Sequence, residues 1–349
     1  MELNTDTLGM LDLMVRPGFC VKENQIVYAN PAAKSLLLCP GLDIRELLLT
    51  GQEEYATFRE GSLYLQLTIA GGCGVSVYAA DDLHIFLLDQ ESDDDALRAM
   101  SLAARELREP LTGMQMALEQ LSPEKTGDQE NLARLNRGIH QILRILGNMS
   151  DAYSSGAGTA LELRDVPQVL ESIFERAANH VTSADMTLHF QNDVSSVLSL
   201  VDEQLLERAI WNILSNAIKF SPKGSALQAH FSRRGRTLLL SITDPGAGIA
   251  ESLQGNLFRR YLRQPGIEDG RFGLGLGMVL IRSAAAKHGG TVLIDRPEGS
   301  GTRITLTLPI RQDTTALRSP VLRVDYSGEQ DHGLVELADC LPLRAYYKD

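Results

Sequence analysis

Twice between residues 100 and 149 the apolar side chains return at alternating steps of four and three, the spacing that lines one seam along an α-helix. The first run is Met100, Ala104, Leu107, Leu111, Met114, Leu118 and Leu121; the second is Leu132, Leu135, Ile139, Ile142, Leu146 and Met149. Residues 122–130 between them are polar and contain Pro123 and Gly127, so the chain reverses there and the seams form an antiparallel two-helix hairpin. A lone hairpin leaves much of its stripe in water. The spacing therefore predicts pairing with a second copy as a four-helix bundle, a homodimer through residues 97–150. The competing arrangement buries the seams against the chain's own flanking segments.

Those flanks have a different texture. Residues 17–90 carry short strand-like runs at 19–21, 26–28, 62–69, 75–78 and 83–88, with a turn at 23–25, which reads as a small α+β module. An acidic break, Glu91-Ser-Asp-Asp-Asp95, closes it. From Gly156 onward helical and alternating segments interleave: helix 166–181, strand 186–191, helix 203–220, strands 226–232 and 237–243, helix 276–288, strands 291–295 and 302–308. That order predicts a helix layer on a mixed sheet. The fold class is multidomain α+β, long enough at 349 residues for two or three cores. Boundaries are expected at 1–92, 93–155, 156–312 and 313–349; the last stretch resumes apolar character at 321–324 and 334–341, and its role is not legible.

Charge and patterning exclude several function classes. A net charge of −12 offers no basic field to nucleic acid. The longest weakly polar stretch, 67–80, is too short to span a bilayer and holds three glycines, and Glu2 and Asp6 stand where a leader would be basic. The expectation is a cytoplasmic protein without a transmembrane segment. Cys20, Cys39, Cys73 and Cys340 lack metal-site spacing and read as reduced thiols.

Chemistry concentrates after residue 200. On the helix 203–220, Asn212, Asn216 and Lys219 recur at steps of four and three, placing two amides and an ammonium along one face. Amide oxygens can hold Mg²⁺ or its waters, and a lysine gives a point charge to phosphate; a plain polar surface shares the same pattern. Asp244-Pro-Gly-Ala-Gly-Ile249 follows a strand, so Gly246 and Gly248 allow close backbone approach while Asp244 can accept a hydrogen bond from an exocyclic amine. Gly273-Leu-Gly-Leu-Gly277 opens a helix whose N–H groups can meet anionic oxygen. A dinucleotide fold is rejected, because this cluster does not follow a strand in a βαβ unit.

Taken in order, these pieces resemble the ATP-binding domain of sensor histidine kinases. Glu207-Arg-Ala-Ile-Trp-Asn-Ile-Leu-Ser-Asn-Ala-Ile-Lys-Phe-Ser-Pro222 resembles the N box, Asp244–Ile249 the G1 box, Leu257-Phe-Arg-Arg-Tyr-Leu-Arg263 the F box and Gly273–Gly277 the G2 box. Lys287-His-Gly-Gly290 and Gly299-Ser-Gly-Thr302 resemble the segments that follow. The resemblance implies a GHKL-type α/β sandwich that binds ATP and Mg²⁺. Asn212 and Asn216 would hold the metal, and Lys219 with Arg260 or Arg263 would meet phosphates. Asp244 would read adenine, residues 250–272 would form a mobile lid, and Phe220, Ile249, Leu274, Gly275, Leu276 and Thr302 would complete the site. His288 is then structural. Ahead of the hairpin, Glu23-Asn-Gln-Ile-Val-Tyr-Ala-Asn-Pro-Ala-Ala33 resembles the strand, turn and helix of a PAS-like α/β sensor module, with nothing that specifies a haem or flavin.

The hairpin itself resembles the family's dimerisation hairpin through Ala104-Arg-Glu-Leu-Arg-Glu-Pro-Leu111, which looks like the H box. There the phosphorylated histidine is replaced by Arg105, ahead of Glu106. A guanidinium is always protonated and has no lone pair for attack on phosphorus. Glu109 stands where the family often has Thr or Asn to position a water for dephosphorylation. His140, beside seam residue Ile139, reads as a surface histidine rather than a substitute acceptor.

Three functions are therefore in play. The leading one is a histidine-kinase-like signalling protein that binds Mg-ATP without autophosphorylating at position 105, partnered by a response regulator or a true kinase. The second is an active kinase of a two-component system whose acceptor histidine lies elsewhere or in trans. The third is a plain ATPase, disfavoured because Asn212 occupies the place of the glutamate that would activate water.

Overall fold

In the computed structural model the described residues are 11–12, 14, 16–80, 82–89, 107, 110–114, 116–117, 129–153, 161–249, 257–258, 276–297, 300–312 and 331–347. The first strands, β1 (Gly18–Lys22) and β2 (Gln25–Ala29), are joined through Glu23 and Asn24, at φ 50° and 67°. Two positive φ values in a two-residue turn match the twist of an antiparallel hairpin. Asn30 then caps the short helix α1 (Pro31–Ser35), accepting from Ala33 N at 2.9 Å and Gly18 N at 3.1 Å. Its amide donates to the Leu11 and Arg16 carbonyls, so one buried asparagine fastens the turn to the strand before it. After helix α2 (Gln52–Thr57) come β3 (Ser62–Leu67), β4 (Cys73–Ala80) and β5 (Leu83–Leu88), giving the antiparallel order β2-β1-β5-β4-β3. Phe19 and Phe86 stack at 4.8 Å in its core.

The second core lies between helices and the strands after residue 186. Helices α4 (Val166–Ser183), α5 (Glu203–Phe220) and α6 (Gly277–His288) cover one face of β7 (Thr187–Asn192), β9 (Ala226–Arg234), β10 (Thr237–Asp244), β11 (Val292–Asp295) and β12 (Thr302–Pro309). Along β10 burial alternates residue by residue, as it must when one face of a strand meets a helix layer. Among the described strands only the β7–β9 pair is parallel, so the expected mixed sheet is present. Two short strands escape a reading by periodicity: β6 (Glu162–Asp165) and β8 (Leu198–Val201) pair in a separate ribbon. The polar β6 has no apolar alternation to betray it.

The two sheets are one. The edge strands β3 and β11 pair antiparallel, Tyr64 opposite Val292 and Ser62 opposite Ile294, giving ten strands in the order β2-β1-β5-β4-β3-β11-β12-β10-β9-β7. Gly61 sits at φ 85°, and a Cβ there would overlap the Ile294 carbonyl oxygen. Arg282 of α6 bridges the joint, paired with Asp89 and lying over the Tyr64 ring. Sequence patterning marks β3 and β11 as strands but not which distant edge completes their hydrogen bonds.

Helix α3 (Gln129–Tyr153) is the second hairpin helix. Residues 110–114 of the first lie against it, with Met114 Cγ 2.6 Å from where a Cβ of Gly138 would be. The rest of the first seam lies outside the described residues. On α3 the seam residues Leu132, Ile139 and Leu146 are 50%, 44% and 40% exposed, so the described flanks leave them largely uncovered. The opposite stripe is the buried one: Ala133, His140, Arg144 and Asn148. His140 is 1% exposed rather than a surface residue, its Nδ1 hydrogen-bonded with the Asn136 carbonyl and its ring edge-on to Tyr346. Residues 331–347 cover it. They form α7 (His332–Glu336) and a turn of 3₁₀ helix, and bury Leu337, Leu341 and Tyr346 in the core beneath α4 and α5. No described helix is long and apolar enough to cross a membrane.

Candidate nucleotide-binding site

Helix α5 starts where Asp202 accepts from Leu205 N at 3.0 Å and stops at Ser221, whose extended backbone precedes Pro222. Its apolar face, Leu206, Ile210, Ile213, Leu214 and Ala217, anchors it in the core and turns the next stripe toward α6. Asn212 donates from Nδ2 to the Arg208 carbonyl at 2.9 Å, and its Oδ1 faces Gly277. Asn216 reaches Met278 Sδ with its own Nδ2, at 3.9 Å. Both amide nitrogens are thus engaged by the protein, which leaves their oxygens as acceptors.

Strand β10 ends at Asp244, opposite Thr302 of β12. The side chain, 9% exposed, accepts from Gly246 N at 2.8 Å. Burial raises this carboxyl above the usual range, and the donors of Gly246 and Thr302 draw it part of the way back. Gly246 has no room for a side chain, since a Cβ would lie 2.6 Å from Asp244 Oδ1 and 2.7 Å from the Phe220 carbonyl oxygen. Gly301 is tighter still: at φ 108° its Cβ would overlap the Asp244 carbonyl oxygen. The end of α5, the 244–248 turn and the start of β12 are therefore packed backbone to backbone around one carboxylate. Gly248 lies beside Gly301, Ile249 packs on the core, and Phe220 is half exposed at the rim.

The third wall is the beginning of α6, where Leu276 is buried and Gly277 contributes the first turn. Gly273, Leu274, Gly275, Arg260 and Arg263, like Arg105, Glu106 and Glu109 of the hairpin, lie outside the described residues, as does the 250–272 stretch except Leu257 and Phe258. Phe258 is buried, its ring 5.6 Å from Tyr64 at the sheet joint. His288 is structural as expected: its Nδ1 is hydrogen-bonded with the Ala284 carbonyl, and its Nε2 accepts from Asp202 N.

Lys219 departs from the expected face. Instead of joining Asn212 and Asn216 it turns toward 331–347, where Nζ lies 3.5 Å from Asp339 and the side chain is 7% exposed. Asp339 also binds Arg144 at 2.6 Å, and Glu336 takes Arg208 at 3.1 Å. Burial opposes charge on Asp339, but the Arg144 and Lys219 cations outweigh it and hold the carboxyl below its usual range. Burial likewise lowers the Lys219 ammonium. The one sequence sign of this cluster is the second polar stripe of α3, Arg137, His140, Arg144 and Asn148, which the stronger apolar seam overshadows.

Residues 201–312 match the family of histidine kinase-, DNA gyrase B- and HSP90-like ATPases, and residues 97–158 match the His Kinase A (phospho-acceptor) domain. The sensor-like histidine kinase SenX3 of Mycobacterium tuberculosis is 30% identical over 214 residues, 59% of this chain and 52% of that protein. SenX3 of Mycolicibacterium smegmatis is 25% identical over 318 residues, 82% of this chain and 80% of that one. The mycobacterial sensor histidine kinase MprB, a solved structure, is 29% identical across 43% of this chain and 98% of its own, with a TM-score of 0.37. The chain spans about half the length, or less, of the first curated relatives it matches. With a His Kinase A (phospho-acceptor) region followed by a histidine kinase-like ATPase region, the chain is similar across residues 97–312 to sensor histidine kinases.

Proposed function

We propose that this protein binds Mg-ATP and signals through conformation, without phosphorylating itself at position 105. The observation that carries the nucleotide reading is the buried Asp244 carboxylate, clasped by Gly246 and Thr302 at the end of α5. A carboxylate so placed selects an exocyclic amine such as that of adenine. The donor set fits the rest of the ligand: the Asn212 and Asn216 oxygens suit a hard cation, and the start of α6 suits phosphate. Lys219, Arg260 and Arg263 would add positive charge. ATP supplies a γ-phosphoryl group there, and Arg105 has no lone pair with which to receive it.

The exposed seam Leu132, Ile139 and Leu146 supports a homodimer through 97–150. The strand order β2-β1-β5-β4-β3 supports a PAS-like sensor in 1–92, ahead of a hairpin in 93–155 and an ATP-binding unit in 156–312. A response regulator or a partner kinase would read the output. The complete Asp244 cradle favours one other reading, an active kinase acting on a histidine elsewhere or in trans. His140, sealed under Tyr346, does not serve it in this arrangement.

The test is incubation with γ-labelled ATP and Mg²⁺, beside an Arg105→His variant, after calorimetry has shown that both bind nucleotide. Acid-labile phosphate in the variant alone supports the proposal. Label on the wild type establishes the active kinase instead.

A further inference from the structure

We infer that residues 331–347 form a latch that competes with nucleotide for Lys219, so that docking of this segment and binding of ATP phosphates exclude one another. The inference rests on the reading of Lys219 as a phosphate-binding residue.

The segment is built to dock. Asp331 caps α7 and hydrogen-bonds with His180 at 3.1 Å, and Arg344 pairs with Asp185, so both ends are tied to α4 and the turn after it. Between them the Ala338 carbonyl accepts from Arg137 Nε at 3.0 Å, and the Tyr346 carbonyl accepts from Asn136 Nδ2 at 3.3 Å, which ties the segment to α3. Leu337, Leu341 and Tyr346 complete the apolar core. Gly333 passes so close to Trp211 and His180 that a Cβ would lie 3.0 Å from the indole and overlap the imidazole. One short stretch thus clasps the hairpin helix to the nucleotide-site helix.

At the centre of that clasp stands Asp339, between Arg144 of α3 and Lys219 of α5. The ammonium is enclosed, so it cannot reach a ligand held by Asn212 and Asn216 until Asp339 lets it go. A triphosphate and a carboxylate then contend for the same cation. By linkage, whatever factor the docked segment takes from nucleotide affinity, nucleotide takes from docking. Replacing Asp339 with asparagine leaves Arg144 and Lys219 as neighbouring buried cations without their shared anion, which favours release of the lysine.

The experiment uses the whole chain, titrated calorimetrically with Mg-ATP as wild type, Asp339→Asn and Gly333→Ala, the last variant loosening the segment where it passes His180 and Trp211 and leaving Asp339 in place. Hydrogen exchange of residues 333–346 in the wild type, with and without Mg²⁺ and a non-hydrolysable ATP analogue, reads the reciprocal effect. The expected result is about tenfold tighter binding in both variants, within the usual range of such coupling, and faster exchange across 333–346 with nucleotide. Equal affinities with unchanged exchange would overturn the latch while leaving the nucleotide site standing. Absence of binding in all three proteins would remove the site itself, and the latch with it. Should either variant fold poorly or the two readouts disagree, the wild-type exchange decides.

Discussion

Replacing Gly301 with alanine tests whether the two strand ends around Asp244 are held as closely as their geometry implies. Two terms add. The backbone stands at φ 108°, where a side chain carries strain of about 1–3 kcal/mol. The new methyl would also overlap the Asp244 carbonyl oxygen, and forcing extra volume into a packed site costs about 1–3 kcal/mol more. Gly235, in the turn between β9 and β10, is a built-in control: its φ is 57°, but nothing lies within 4 Å of the added carbon. Alanine there should show only the backbone term, about 1–2 kcal/mol. Taking mid-range values, the two variants differ by about 2–3 kcal/mol, which separates their melting temperatures by roughly 4–12 °C for a unit of ordinary domain size. Thermal melts followed by circular dichroism measure this directly. Calorimetric titration should in addition show weaker Mg-ATP binding by the Gly301 variant, because Asp244 moves with its own backbone. Equal melting temperatures for the two variants would refute the claim that close approach, rather than φ alone, requires glycine at 301.

Two further outcomes follow from the same geometry. Asp244→Ala should weaken Mg-ATP binding about 10- to 150-fold, the range for losing a hydrogen bond to a charged group, while the protein still folds; calorimetry showing unchanged affinity would take Asp244 out of the site. The His180 hydrogen bond holds the Asp331 carboxyl down at about 2, so its stabilising effect is present above the ordinary carboxylate pKa and is lost as pH falls from about 4 toward 2. Chemical denaturation of wild type and Asp331→Asn across that window should show the stability gap between them closing, and a constant gap would contradict the assignment.

Much of the site was legible because its determinants are local. Asn212 and Asn216 are one turn apart on a helix whose apolar face fixes its rotation, so their common direction follows from spacing alone. Asp244, Gly246 and Gly248 sit in a turn directly after a strand, and Gly301 meets them because β10 and β12 pair in register. Lys219 obeys the same helical arithmetic, yet its long side chain chose a distant carboxylate over the predicted face. His140 misled for a related reason: a polar residue beside an apolar seam looks exposed until some other segment covers it.

The sequence by itself determined the local codes: the heptad seams, the Asn30 and Asp202 caps, the alternation along β10, and the arginine at position 105. Each depends on residues within a few positions of one another, where periodicity and backbone preference suffice. Only the tertiary structure decided that β3 completes the edge of β11, that the apolar seam of α3 stays exposed while its polar stripe is buried, and that Asp339 captures Lys219. Those outcomes join residues more than a hundred positions apart, and they turn on which edge, groove or counter-charge offers the better fit once water is excluded.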